Sequence, residues 1–207
     1  MTRVILVRHG RTAWHAEGRY TGITDIPLDE LGRRQADLVA RRLHDTDIDR
    51  VYSSPLSRCL ELAETVAGDH GIPVEVDERL REINLGRWDG ETYKEIFEKD
   101  GDLVQQWTRD PSLVNVPGGE SLAEVQERTV DWLKVMLVRY PDCTILASSH
   151  GGAIRALIAG VIGLHISRLF RLTIDLASIS VLDYQGEFSS LGLLNETGHL
   201  HPEGSSL

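Results

Sequence analysis

Apolar positions along the chain fall into short continuous runs separated by stretches of helical spacing. Val4-Ile5-Leu6-Val7 runs straight into Arg8-His9-Gly10, the pattern of a buried strand over 3–8 that stops at a sharp turn. Pro27 and Asp29 mark a turn and a cap, and a helix is expected over about 30–44. A short strand over 49–53 follows, then a helix over 56–68 with Leu56, Leu60 and Ala63 or Ala67 on one face, then a third strand over 73–76. Ser121-Leu122-Ala123-Glu124 fits a capping box, and behind it Val125, Thr129, Trp132, Met136 and Tyr140 recur at helical spacing as far as Pro141. A strand over 144–148 leads through Gly151-Gly152 into a helix ending near Gly163. Strands over 178–184 and 187–194 meet at Gln185-Gly186 as a hairpin, and the tail after Leu200 is expected to fray. This alternation predicts an α/β fold, a three-layer α/β/α sandwich with a mostly parallel central sheet. Residues 84–120, rich in Trp, Gly, Asp and Glu, read as a lid-like insertion rather than a core unit.

At 207 residues the chain suits one domain spanning 1–207 with that modest insertion. A 41% hydrophobic composition suffices for a core, and a net charge of −10 argues against nucleic acid, whose binders present basic stripes. A small phosphorylated metabolite stays compatible with that charge, because a local arginine cluster can hold it. Cys59 and Cys143 follow no metal or disulfide spacing and read as reduced packing residues. No run approaches the ~20 apolar residues that span a bilayer, and no signal peptide precedes the first strand, so a cytoplasmic protein without a membrane partner is expected. Asp45, Asp47 and Asp49 alternate as in a calcium loop but lack its Gly and distal Glu, and the Trp residues at 14, 88, 107 and 132 read as packing or pocket-lining groups.

Five residues stand just past strands or in turns: Arg8, His9, Arg58, Glu82 and His150. Open α/β sheets bind ligands at that edge. Taken singly, Glu82 reads as a surface carboxylate, Arg58 as a helix-surface cation and His150 as a helix cap. Together, two arginines, two histidines and a carboxylate supply what phosphoryl transfer without a metal requires: a nucleophile, cations for the equatorial oxygens and a proton donor.

The segments Leu6-Val7-Arg8-His9-Gly10, Tyr52-Ser53-Ser54-Pro55-Leu56-Ser57-Arg58, Leu80-Arg81-Glu82-Ile83 and Ser149-His150-Gly151-Gly152 resemble, in the same order, those of the histidine phosphatase superfamily. The resemblance implies a phosphoglycerate mutase-like fold over residues 3 to about 200 and a phosphoric monoester hydrolase of the histidine acid phosphatase type. It implies His9 as the nucleophile that becomes phosphohistidine, Arg8, Arg58 and His150 as phosphate ligands, a backbone N–H at Gly151, and Glu82 as the proton donor. No metal and no cofactor are implied. The flanking arginines would favour the neutral, nucleophilic His9 ring by like-charge repulsion. Two departures stand out: Arg11 where the family commonly has Glu, and His15 where it commonly has an Asn that touches phosphate. His15 would still donate to it, and Arg11 would bear on which substrate binds. Thr21 and Gly22 resemble a second phosphate-side loop, Asn195 and His199 resemble a segment near the end of the phosphatase members, and the segment 117–121 with Trp107 is expected to border the pocket. A homodimer is compatible with all of this.

Three functions compete: a phosphatase, a cofactor-dependent phosphoglycerate mutase, and a non-catalytic phospholigand-binding module. Mutases follow the glutamate with Arg-x-Tyr-Gly and a long basic lid, whereas here Glu82 is followed by Ile83-Asn84-Leu85-Gly86 and 89–102 is acidic. Few cations there could hold a second phosphate, which favours the phosphatase. A binding module would predict loss of His9, Arg58, Glu82 or His150, and all four are present.

Overall fold

Hydrophobic residues at both parities of the first strand explain the layering in the computed structural model, which describes residues 1–186 and 188–201. That strand, β1 (Thr2–Arg8), turns Val4 and Leu6 to one face and Ile5 and Val7 to the other. A strand buried on both faces has to be covered by helices on both. One cover is α2 (Glu30–Leu43) with α3 (Ser57–His70), whose Val39, Leu43, Leu62 and Val66 meet Ile5 and Val7. The other cover is α4 (Tyr93–Arg109), α5 (Leu122–Arg139) and α6 (Gly151–Ile162), and it receives Val4 and Leu6.

The sheet is completed by β2 (Arg50–Ser53), β3 (Val74–Val76), β4 (Thr144–Ser149), β5 (Ile179–Gln185) and β6 (Phe188–Glu196), in the order β3-β2-β4-β1-β5-β6. The pairs β3–β2, β2–β4 and β4–β1 are parallel, and only β5 and β6 run antiparallel. The predicted sandwich and mostly parallel sheet are therefore what the chain forms. The predicted caps are also present: Asp29 Oδ1 accepts from Gly32 N at 2.8 Å, and Ser121 with Glu124 closes a capping box. Gln185 pairs with Phe188 across the predicted hairpin turn. Residues 187 and 202–207, the latter most of the tail past Leu200, lie outside the described residues.

Residues 84–120 depart from the expectation of a segment apart from the core. Trp88, Ile96, Val104 and Trp107 are buried in the same cluster as Trp132 and Ile154, so this stretch is core on its inner side. Its helix α4 was not predicted because Gly101 and a run of acids interrupt the apolar spacing, and Asp100 breaks the helix at φ −137°, ψ 37°. The readable signal was the Thr92–Glu95 capping box at its start. A second unpredicted helix, α1 (Ala13–Ala16), is a single turn after β1. Among the described residues no helix is long and apolar enough to cross a membrane.

Candidate active site

Three parallel strands end side by side: Arg8 of β1 is paired with Ser149 of β4, and Ser148 with Ser53 of β2. The residues just beyond them, His9, His150 and Ser54, are thereby neighbours, although they lie far apart in sequence. His9 N donates to Ser149 O at 3.0 Å and Ser54 N to Ser148 O at 3.0 Å. The His9 ring, only 2% exposed, lies edge-on to His150 and to His15, with centroids 5.1 and 5.3 Å away.

His9 Nδ1 lies 2.8 Å from Gly10 O, and a carbonyl can only accept, so Nδ1 carries the proton and Nε2 the lone pair. Burial pushes the His9 pKa well below the usual imidazole range, and Arg58, Arg8 and His15 push it further the same way. The arginine effect anticipated from sequence is thus present, but desolvation exceeds it. His150, fully buried, is lowered well below the same range by burial and by Arg58, His9 and Arg8. Its Nε2 shares a 2.8 Å hydrogen bond with Ser54 Oγ. Cys59 Sγ lies 3.4 Å from that nitrogen, its thiol pushed up to about 12 by burial and so neutral.

Arg8 and Arg58 are both anchored through their terminal nitrogens. Arg8 Nη1 donates to Ile174 O at 2.7 Å, while Arg58 Nη1 and Nη2 donate to Thr24 O and Gly22 O at 2.9 and 2.7 Å. The Nε of each is buried with no partner among the described residues. A buried donor without an acceptor is costly, and here two such donors belong to the guanidiniums that act on His9. A bound anion that reached them would satisfy both.

Glu82 reaches the start of α6. Its Oε2 accepts from Gly152 N at 3.0 Å, and its Oε1 accepts from Ala153 N at 3.1 Å and Ile83 N at 2.9 Å. Only glycine permits this at 152, since a Cβ there would stand 2.4 Å from Oε1. Sequence reasoning missed the residue that holds this loop. Arg128 of α5 donates to the carbonyls of Arg79, Arg81 and Glu82 at 2.7, 2.8 and 3.1 Å, and is itself fixed by Glu120 at 2.7 Å. Nothing in its helical spacing distinguishes it from a surface cation.

Two secondary expectations, those for His15 and Gly22, need correction. His15 Nε2 lies 3.3 Å from Arg8 Nη2, and arginine only donates, so Nε2 is an acceptor and Nδ1–H donates to Thr12 Oγ at 2.7 Å. His15, lowered to about 4 by burial and by Arg8, therefore orients Arg8 as a neutral ring rather than donating to phosphate. Gly22 is buried with its N–H on Asp89 and its carbonyl on Arg58, which places it behind the arginine. Arg11 is committed to Asp29 at 2.7 Å. Asn195 and His199 brace the loop after Leu172: Asn195 Oδ1 accepts from Asp175 N at 2.6 Å, and His199 Nε2 lies 3.1 Å from Ala177 O.

A cavity of about 330 Å³ opens beside these groups, lined by Arg8, His15, Arg19, Thr21, Glu82, Trp107 and Arg155 together with Tyr20 and apolar side chains. Thr21 and Trp107 are there as expected, but no residue of the 117–121 segment lines it, and the neighbouring Leu122 does instead. Gly118 and Gly119 pack instead against the backbone of 84–86. Gly151 opens α6, where amides lack intrahelical partners. A Cβ on it would stand 3.2 Å from Arg8 Nε.

The sequence signature of the histidine phosphatase superfamily (branch 1) matches residues 4–197. The chain is 34% identical over 200 residues to phosphoserine phosphatase 1 of Hydrogenobacter thermophilus, covering 97% of this chain and 95% of that one. It is 37% identical over 185 residues to the probable phosphoglycerate mutase GpmB of Cronobacter sakazakii, covering 89% and 86%. The solved structure of Bacillus stearothermophilus YhfR superposes with a TM-score of 0.93 at 31% identity, covering 97% of this chain and all of that one.

Proposed function

The chain belongs to the histidine phosphatase superfamily, and on that premise we propose that it hydrolyses a small phosphomonoester metabolite, without a metal, through a phosphohistidine on His9. The observation that carries this reading is the neutral His9 ring, its Nε2 free and flanked by two guanidiniums whose buried Nε–H groups lack an acceptor. Nε2 attacks phosphorus, the N–P bond forms and the P–O ester bond breaks in line. Arg8, Arg58 and His150 stabilise the equatorial oxygens, and Glu82 gives a proton to the departing alkoxide. Water then attacks phosphorus, its proton passes to Glu82, and the N–P bond breaks to release phosphate and restore His9.

Hydrolysis is favoured over mutase chemistry by the state of the cations near the lid-like stretch. Arg87 pairs with Asp100, Lys99 with Glu91 at 2.9 Å and Arg19 with Glu95 at 3.4 Å, so these three are committed to carboxylates rather than held ready for the second phosphate of a bisphosphate. The test is to incubate the protein with ³²P-labelled substrate in excess chelator, quench in alkali, where phosphohistidine survives, and locate the label. Label on His9, absent in His9→Ala, is expected. Label elsewhere, or turnover that returns only on adding magnesium, would overturn the reading.

A further inference from the structure

Three arginines at the site have no carboxylate partner among the described residues: Arg8 and Arg155, which line the cavity, and Arg58, which is fully buried and acts on His9. Arg8 acts on His9 as well, and Arg155 has no assigned task. Arg155 lies in the second turn of α6, and its Nε donates to Leu172 O at 2.7 Å, which fixes the guanidinium plane. Its two terminal nitrogens have no hydrogen-bond partner among the described residues, and the side chain lines the cavity beside Glu82.

The nearest carboxylates do not serve it. Glu82 spends its oxygens on three backbone amides, and Asp175 accepts from Asn195 at 2.8 Å. Arg155 and Arg8 are also close: a Cβ on Gly151 would stand 3.1 Å from Arg155 Nη1 and 3.2 Å from Arg8 Nε. Two guanidiniums held side by side, one committed to the phosphate position, leave the other for a second anionic group on the same small molecule. A planar guanidinium with two free terminal nitrogens matches a carboxylate in a bidentate fork.

Resting on the phosphatase reading above, we infer that the cavity takes phosphomonoesters whose carbon skeleton carries a carboxylate, and that Arg155 binds that carboxylate. Burial, which lowers the Arg155 pKa, adds to the value of an anionic partner there. The remaining wall, with Leu85, Trp107 and Phe170, suits a short carbon chain and offers no further free cation.

Matched esters test this. O-phosphoserine is set against O-phosphoethanolamine and 3-phosphoglycerate against glycerol 3-phosphate, with 4-nitrophenyl phosphate as an aryl reference, for wild type, Arg155→Met and Arg155→Lys. In each pair the wild type is expected to prefer the acid by about 10- to 100-fold in kcat/KM, as for a charge-assisted hydrogen-bonded pair. Arg155→Met should bring that ratio towards one through KM, and Arg155→Lys should keep part of it. A wild-type ratio near one in both pairs, or equal losses for both members in Arg155→Met, overturns the inference while leaving the phosphatase reading intact. If Arg155→Met does not fold, the wild-type ratios and Arg155→Lys decide it alone. Failure to hydrolyse any of the five esters would overturn the phosphatase reading, and the inference with it.

Discussion

Glu82 shows how much one side chain can be asked to do. As a proton donor it must reach the leaving oxygen, yet all three of its contacts are backbone amides around the start of α6. Those amides fix the carboxyl group within reach of the cavity that Arg8 and His15 also line. They also complicate the obvious substitution. In Glu82→Gln one oxygen becomes an NH₂ group, which must face either the Gly152 amide or the pair from Ile83 and Ala153, donor against donor. Comparing leaving groups separates that structural cost from the chemical one. A nitrophenolate departs without a proton and an alkoxide does not, and positioned acid catalysis contributes typically ~10²–10⁴-fold. Single-turnover phosphorylation of His9 in Glu82→Gln should therefore slow far more for an alkyl than for an aryl phosphate. Equal losses would mean that Glu82 only shapes the loop. At this scale Arg8, His9, Arg58, Glu82 and His150 were legible because each directly follows a strand or turn with a readable pattern. Arg128 and Arg155 were not, because on a helix the same residue type serves solvent or site according to a rotation that the spacing alone does not fix. His15 misled for a related reason: its chemistry allows donation, and only its neighbour Arg8 makes it an acceptor.

Strands were more legible than the connections that position them. The continuous apolar run of β1 and the capping boxes carry their own signals, whereas the loop from Leu172 to Ser178 carries none, and it holds both members of the Arg8-His9 pair. Ile174 O accepts from Arg8, and Ala177 N donates to His9 O at 3.1 Å. Ala177 sits at φ 57°, a conformation that costs a residue with a Cβ and needs support from outside the loop. That support comes from the end of β6 and the turn after it. Asn195 bonds Asp175 through both its side-chain atoms, at 2.6 and 2.8 Å, and His199 Nε2 meets the Ala177 carbonyl. The family-like segment around Asn195 and His199 is thus a brace for the end of the first strand that carries Arg8 and His9. Asn195 itself stands at φ 55°, so glycine keeps the backbone while deleting the side chain. Asn195→Gly should lower kcat by roughly 10–10²-fold, with KM changed much less, because misplacing the reacting groups affects the transition state most. A merely structural role would instead show as a lower unfolding midpoint with kcat preserved, and denaturant unfolding beside steady-state kinetics distinguishes the two.

Across the whole molecule, the site sits where two hydrophobic layers meet one sheet, and burying cations and imidazoles there ties stability to pH. His9, His15 and His150 all titrate below 6.5 in the folded chain, chiefly through burial. Between those lowered values and 6.5 the unfolded chain takes up protons that the folded chain refuses. Their contribution to stability is therefore complete above about pH 6.5 and lost progressively as pH falls below it. Overall charge acts in the opposite direction over the same window. The chain carries −10 at pH 7 and a pI near 5.2, so acidification relieves self-repulsion. A wild-type curve alone mixes the two effects, but its difference from His9→Ala does not, since alanine adds no titration in either state while the background charge is nearly unchanged. Urea unfolding at pH 7, 6 and 5 should show the wild type losing stability relative to His9→Ala by ~1 kcal/mol per pH unit below 6.5. The same low pKa leaves His9 Nε2 nucleophilic in mild acid, so the phosphorylation step should persist through the range where stability declines. Parallel stability curves for the two proteins would mean that His9 is not held neutral by its surroundings.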